Sequence, residues 1–288
     1  MASPAKTKGK TAFVLAGGGS LGAVQVGMLK ALSKSGVSAD MVVGSSVGSI
    51  NGAYYAGRPD RDGVAALEKL WRGITRDDIF PIKVSTLARF AVRRDYLIDS
   101  GSLTRLVSNN VPFTNIEDAK LPLRIVATNF LTGTPVILSS GNATKAIVAS
   151  CAIPAAFEPV KIGKTYLADG GIANNTPVSV AVQEGATRLI VLPTGHACSL
   201  REPPRGAIAS ALHGLTLLIS SQMVADLKSL DSGVEFHVVP SLCPVDVSPL
   251  DFSKTGHLID AAEQQTSGWL EAGGLETQDI PPKLGPHH

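Results

Sequence analysis

The sequence predicts an α/β fold built on parallel strands, and two glycine-rich junctions between short apolar strands and helices predict it. In the first, residues 11–15 run straight into Gly17, Gly18, Gly19 and Gly22. Val24, Met28, Leu29 and Leu32 then recur at helical spacing up to a closing Gly36. In the second, Met41, Val42 and Val43 form an apolar run too short for a helix and enter Gly44-Ser45-Ser46-Val47-Gly48. Residues 47–56 then hold no breaker before Gly57 and Pro59. Strand, helix and strand make one β-α-β unit, expected to be parallel and right-handed. Both junctions then lie at carboxyl ends of strands on one edge of the sheet, where open α/β folds bind their ligands. A chain of 288 residues, 44% hydrophobic and with 29 glycines, can bury the core such a sheet needs.

The remaining elements follow from the same signals. A helix is expected over 62–72 and another near 102–108. Between them, residues 86–96 interleave Arg89, Arg93 and Arg94 with Leu87, Phe90 and Val92, a pattern that suits a solvated helix, a mobile cover or peripheral membrane contact. Residues 123–128 and 135–139 read as a hairpin flanking the sheet, with Gly133 in its turn. A helix over 143–150 leads to a second hairpin, 160–167, broken by Gly163-Lys164 and ending at Asp169-Gly170-Gly171. A helix after Pro177, a parallel strand at 188–193, a long amphipathic helix at 207–230, a strand at 234–239 and a helix at 255–272 complete the chain. One domain is expected over 11–274, with 1–10 a flexible lead and 275–288 a loose tail.

Composition excludes several classes. With 26 basic and 24 acidic residues the net charge of +2 carries no nucleic-acid signature. Cys151, Cys198 and Cys243 are odd in number and lack metal-ligand spacing, which suggests reduced thiols and no metal site. The polar, lysine-rich first ten residues lack a signal-peptide core, and no later run reaches the ~18 apolar residues of a membrane span. A cytoplasmic protein without cofactor is expected.

The junctions carry the chemistry. Gly44 and Gly48 flank Ser46 in a Gly-X-Ser-X-Gly pattern, where small residues let the chain turn sharply and expose the hydroxyl. The helix beyond aims its free N–H groups and positive dipole end at the same spot. Gly17, Gly19 and Gly22 also satisfy a dinucleotide fingerprint, but Asp40 stands before the second strand, at the wrong end for a ribose. Unobstructed backbone N–H groups aimed at an oxyanion are the better use of that loop. Two kinds of base could serve Ser46: a histidine, His237 or His257, in the chain order of α/β-hydrolases, or Asp169 acting directly. His237 lies inside a strand and His257 at a helix start, while His196 and His213 carry no signal.

The three motifs in this order, GGGSLG at 17–22, GSSVG at 44–48 and DGG at 169–171, resemble those of patatin-like phospholipases. ASCAIP at 149–154 and DGGIANNTPV at 169–178 extend the likeness over about 11–192. The resemblance implies a three-layer sandwich with a mainly parallel central sheet, and a lipid acyl hydrolase needing neither cofactor nor calcium. It implies Ser46 as nucleophile, Asp169 as general base and an oxyanion hole of backbone N–H groups around Gly18 and Gly19. Gly17, Gly22, Gly44, Gly48, Gly170 and Gly171 are its motif glycines. Leu21 departs from the Arg or Lys of many members, and Ala16 from the Asp of some. The substrate implied is a lipid or fatty-acyl ester. A thioesterase or general carboxylesterase on the same dyad, and a noncatalytic nucleotide- or lipid-binding module, are the alternatives.

Overall fold

Strands covered on both faces have no polar side, and the centre of this sheet is made of such strands. Alternate residues of β1 (Thr11–Leu15) divide between two cores: Phe13 and Leu15 enter one, Ala12 and Val14 the other. β2 (Met41–Ser45) and β7 (Arg188–Leu192) divide in the same way. The computed structural model describes residues 9–81, 96, 98–195, 207–243 and 247–280, excepting the side chains of 207–213, 215 and 216. The expected segment 86–96 therefore lies outside the described residues, apart from the exposed Tyr96.

Five further strands are β3 (Leu123–Asn129), β4 (Pro135–Leu138), β5 (Val160–Ile162), β6 (Thr165–Ala168) and β8 (Glu235–Val238). The order is β5-β6-β3-β2-β1-β7-β8, with β4 also paired to β3. β3, β2, β1, β7 and β8 run parallel, β4 and β6 run against them, and the edge strand β5, antiparallel to β6, points the same way as β3. One face is covered by α1 (Gly22–Lys34), α2 (Val47–Gly57), α3 (Arg61–Gly73) and the helix Thr255–Glu271. The other is covered by the helices Val178–Gln183 and Ala207–Lys228. Three layers around a mainly parallel sheet is the architecture the resemblance implied.

The hairpin expected to flank the sheet sits deeper than that. β3 is a parallel partner of β2, with Val42 opposite Leu123 and Ser45 opposite Val126, because its residues are apolar on both sides. β2 and β4 pair with overlapping stretches of β3, so they occupy its opposite edges. β4 and β6 overlap at Thr128, which puts β6 on the edge that β2 has just vacated. The antiparallel β6 thus runs back toward the end of β2 and delivers Asp169 beside Ser46. Local sequence could not show this, since it depends on which edge a third strand takes.

Candidate active site

Ser46 directly follows β2 and caps α2 with φ 51° and ψ −127°, a left-handed conformation that costs a non-glycine residue on the order of 1–3 kcal/mol. The flanking glycines make the turn possible. A Cβ on Gly44 would lie 2.3 Å from the carbonyl oxygen of Gly48, and one on Gly48 would lie 2.2 Å from that of Leu15. The Ser46 N–H donates to Ser150 Oγ at 2.9 Å, and that hydroxyl donates to Val126 O at 2.6 Å. The elbow is thereby tied to β3 and to the helix Ala143–Ser150.

Asp169 arrives from β6 and is 7% exposed. Its Oδ2 accepts a hydrogen bond from Ser46 Oγ at 2.6 Å, and its Oδ1 accepts the Gly171 N–H at 2.7 Å. Its backbone is fixed by Thr128 Oγ1, which donates to its carbonyl at 2.7 Å, and by its own N–H, which donates to Ala152 O at 2.9 Å. Burial pushes the carboxyl up to about 6, while the Ser46 hydroxyl and Gly171 N–H pull it down. Desolvation wins, which makes Asp169 a stronger base than an exposed aspartate.

The glycine loop meets the elbow where the topology places it. A Cβ on Gly17 would lie 3.0 Å from Ser46 Cβ, and Gly19 has φ 59°. Gly17 N–H is used up on Asn175 O, whereas the amides of Gly18 and Gly19 have no acceptor among the described residues. A buried chain of side chains holds the loop. Gln25 Nε2 donates to Ala16 O at 2.8 Å, Asn51 Nδ2 donates to Gln25 Oε1 at 2.9 Å, and Trp71 Nε1 donates to Asn51 Oδ1 at 2.7 Å. The turn is also braced by Ser20 N–H, which donates to Pro249 O at 2.8 Å.

The family model for patatin-like phospholipases matches residues 13–182, more than half of the chain. The chain belongs to the patatin-like phospholipase family. It is 33% identical over 169 residues to an uncharacterized NTE family protein of Mycobacterium tuberculosis, covering 58% of this chain and 27% of that relative. It is 28% identical over 212 residues to the lysophospholipase NTE1 of Mycosarcoma maydis, covering 72% and 11%. The match thus spans well under a third of these relatives' lengths. Among solved structures, VipD from Legionella pneumophila superposes with a TM-score of 0.53 at 15% identity, covering 92% of this chain and 67% of that one. Human GIVD cytosolic phospholipase A2 gives 0.51 at 11%, covering 94% and 59%. These two show a shared fold.

Beside Ser46 lies an apolar cavity of about 30 Å³, lined by Gly19, Val47, Ile50, Ile79, Phe80, Leu103, Cys151, Ile153, Phe157 and Phe252. That is room for about one water. A larger cleft of about 550 Å³, lined by Asp77, Asp78, Arg105 and Asn110 among others, contains neither Ser46 nor Asp169. Cys151 is free and buried, and burial, followed by the nearby Asp169 charge, pushes its thiol up, which keeps it protonated. Cys243 is disulfide-bonded, a departure from the expected three reduced thiols.

The rival readings find other places in the fold. Asp40 Oδ2 accepts the Thr11 N–H at 2.8 Å, at the amino ends of β1 and β2 and away from the glycine loop. His237 lies within 2.6 Å of Glu235 Oε1 and 2.9 Å of Thr277 O, and His257 is exposed. Neither bonds Ser46 or Asp169. Among the described residues no group of three or more His, Cys, Asp and Glu could hold a metal ion, and no helix is long and apolar enough to cross a membrane.

Sequence reading missed Thr128, Ser150, Asn175, Gln25 and Asn51. Gln25 did carry a signal, since it is a polar residue within an otherwise apolar helix stretch, and Asn51, which shares its helix with Ser49, carried a weaker one. Asn175 is 6% exposed, and its Oδ1 faces the positions where a Cβ on Gly17 or Gly171 would stand.

Proposed function

We propose that the protein is a serine hydrolase that cleaves carboxylic esters of lipids, with Ser46 as nucleophile and Asp169 as its base. The observation that carries this reading is the 2.6 Å hydrogen bond from Ser46 Oγ to the buried Asp169 carboxylate, beside an apolar cavity. Asp169 accepts the Ser46 proton as Oγ attacks the ester carbonyl carbon. The oxyanion that forms is held by the Gly18 and Gly19 N–H groups, and each such donor contributes on the order of 10²- to 10³-fold in rate. The C–O bond to the alcohol then breaks, and the leaving oxygen takes the proton from Asp169. Water, deprotonated by the same carboxylate, releases the acid from Ser46. Phe80 and Phe252, whose ring centroids are 6.2 Å apart, line the cavity that an acyl chain beside Ser46 would widen. Leu21 brings no cation to the glycine loop, so this position offers a phosphate headgroup no charge-assisted hydrogen bond.

The test is labelling by a fluorophosphonate probe, run with competing lysophospholipid, acyl-CoA and short esters. Labelling that requires Ser46 and is competed best by lysophospholipid supports the lipid ester reading. Preferential competition by acyl-CoA would favour a thioesterase. No labelling of the folded protein, with or without detergent, would sink the hydrolase.

A further inference from the structure

The bond from Phe130 N–H to Tyr166 O, at 2.8 Å, continues the pairing of Asn129 with Leu167 by one residue. Phe130 and Tyr166 are therefore cross-strand neighbours on one face. Tyr166 is in turn opposite Lys161 on β5, whose Nζ stands 5.2 Å from the Tyr166 ring centroid. Two aromatics and a cation thus form a row across three strands. The row is exposed: Phe130 by 43% and Tyr166 by 44%, with Leu131 at the hairpin tip exposed by 78%. Ile172, in the short helix directly after Asp169, adds a further side chain at 49% exposure.

Exposing such side chains to water has no benefit for the fold, and the charges nearest to them in the β5-β6 hairpin are basic. Residues 129–142 and 170–183 hold no charged side chain, and 159–168 hold only Lys161 and Lys164; the acidic neighbours are the exposed Glu158 at the start of the hairpin, the buried Asp169 at its end and Glu184. Aromatic rings with a lysine border match the interface of an anionic bilayer, where amphipathic rings sit at headgroup depth and cations meet lipid phosphates. Position agrees. β3 continues past the end of β2 into this hairpin, and Tyr166 is three residues, roughly 10 Å of strand, before Asp169. The patch therefore rises above the sheet edge that holds Ser46 and Asp169.

We propose that Phe130, Leu131 and Tyr166, bordered by Lys161 and Lys164, form the docking surface for an anionic lipid bilayer. This goes beyond the proposed hydrolysis, since docking needs no turnover. The test is co-sedimentation of the full chain, in a Ser46→Ala background, with vesicles of phosphatidylcholine alone or mixed with phosphatidylglycerol. Phe130→Ser with Leu131→Ser lowers partitioning onto mixed vesicles by about tenfold or more. Lys161→Gln and Lys164→Gln each lower it about fivefold on mixed vesicles and little on phosphatidylcholine. In the wild-type background all these variants keep turnover of a soluble short-chain ester. If the double variant fails to fold, Leu131→Ser alone must still weaken binding several-fold. Unchanged vesicle binding by the variants, or no binding by the parent, overturns the proposal. So does a dimer of the chain that Leu131→Ser dissociates, because the patch would then face a second copy.

Discussion

Ser46 and Asp169 occupy two strand-to-helix passages that differ in where their strain lies. The Ser46 passage is fixed by backbone geometry: a left-handed residue between glycines that approach neighbouring carbonyls within 2.3 Å of a hypothetical Cβ. The Asp169 passage also has a close glycine, since a Cβ on Gly170 would lie 2.1 Å from Val126 O, but it carries no positive φ at Asp169, Gly170 or Gly171, and hydrogen bonds from Thr128, Gly171 and Ser46 fix the aspartate, with burial as its cost. Strain aims a hydroxyl at the carboxylate, whereas desolvation raises basicity; the two residues are buried alike, Ser46 8% and Asp169 7% exposed. In the proposed mechanism the strained turn serves the nucleophile and burial serves the base, so one site combines two distinct sources of instability.

The largest effects should come from removing either group. Ser46→Ala should lower ester turnover by about 10⁴-fold or more while the melting temperature holds, as the left-handed backbone remains. Residual turnover within tenfold of the parent would end the nucleophile assignment. Asp169→Asn should be as inactive, yet differ in stability. Its carboxyl is raised from 3.8 to about 6, so the folded state binds the proton more tightly than the unfolded one. Stability from this group is therefore full below pH 4 and falls as pH rises through 6, by about 3 kcal/mol. Denaturant titrations should show that loss in the parent and not in Asp169→Asn, which becomes the more stable of the two above pH 7.

Smaller effects separate the passages further. Gly48→Ala pushes a Cβ to 2.2 Å from Leu15 O, backbone that cannot swing away, so unfolding free energy should drop by about 3 kcal/mol or more. Gly171→Ala meets only side-chain oxygens, the nearest at 2.8 Å, and should lose less in the same titration. Ser150→Ala leaves the buried Ser46 N–H unpaired and should cost about 1–3 kcal/mol, with a modest drop in kcat. Finally, kcat/KM of the parent should rise with pH to a plateau above about 6, because only the ionised Asp169 can accept the Ser46 proton. A flat profile between pH 5 and 7 would remove Asp169 from the proton transfer.

Much of the scaffold was legible because it depends on short stretches. β1, β2 and their glycine turns follow from apolar runs and breakers, and the hairpins from turn residues such as Gly133 and Gly163, both with positive φ. What could not be read is how distant stretches meet. β3 looked like a flanking strand because nothing in its seven residues says which neighbour it takes. Thr128 and Ser150 were ordinary polar residues until pairing set them beside Asp169 and Ser46.

The sequence by itself determined the α/β class, the strand-to-helix junctions and the identity of Ser46 and Asp169 as the residues to watch. These rest on local periodicity and on where glycine is required. Only the tertiary structure decided that Asp169, and not His237 or His257, bonds to Ser46, because β6 takes the edge of β3 that β2 leaves free. It also decided the basicity of that carboxylate, since desolvation is a property of what surrounds a group and not of its neighbours in the chain.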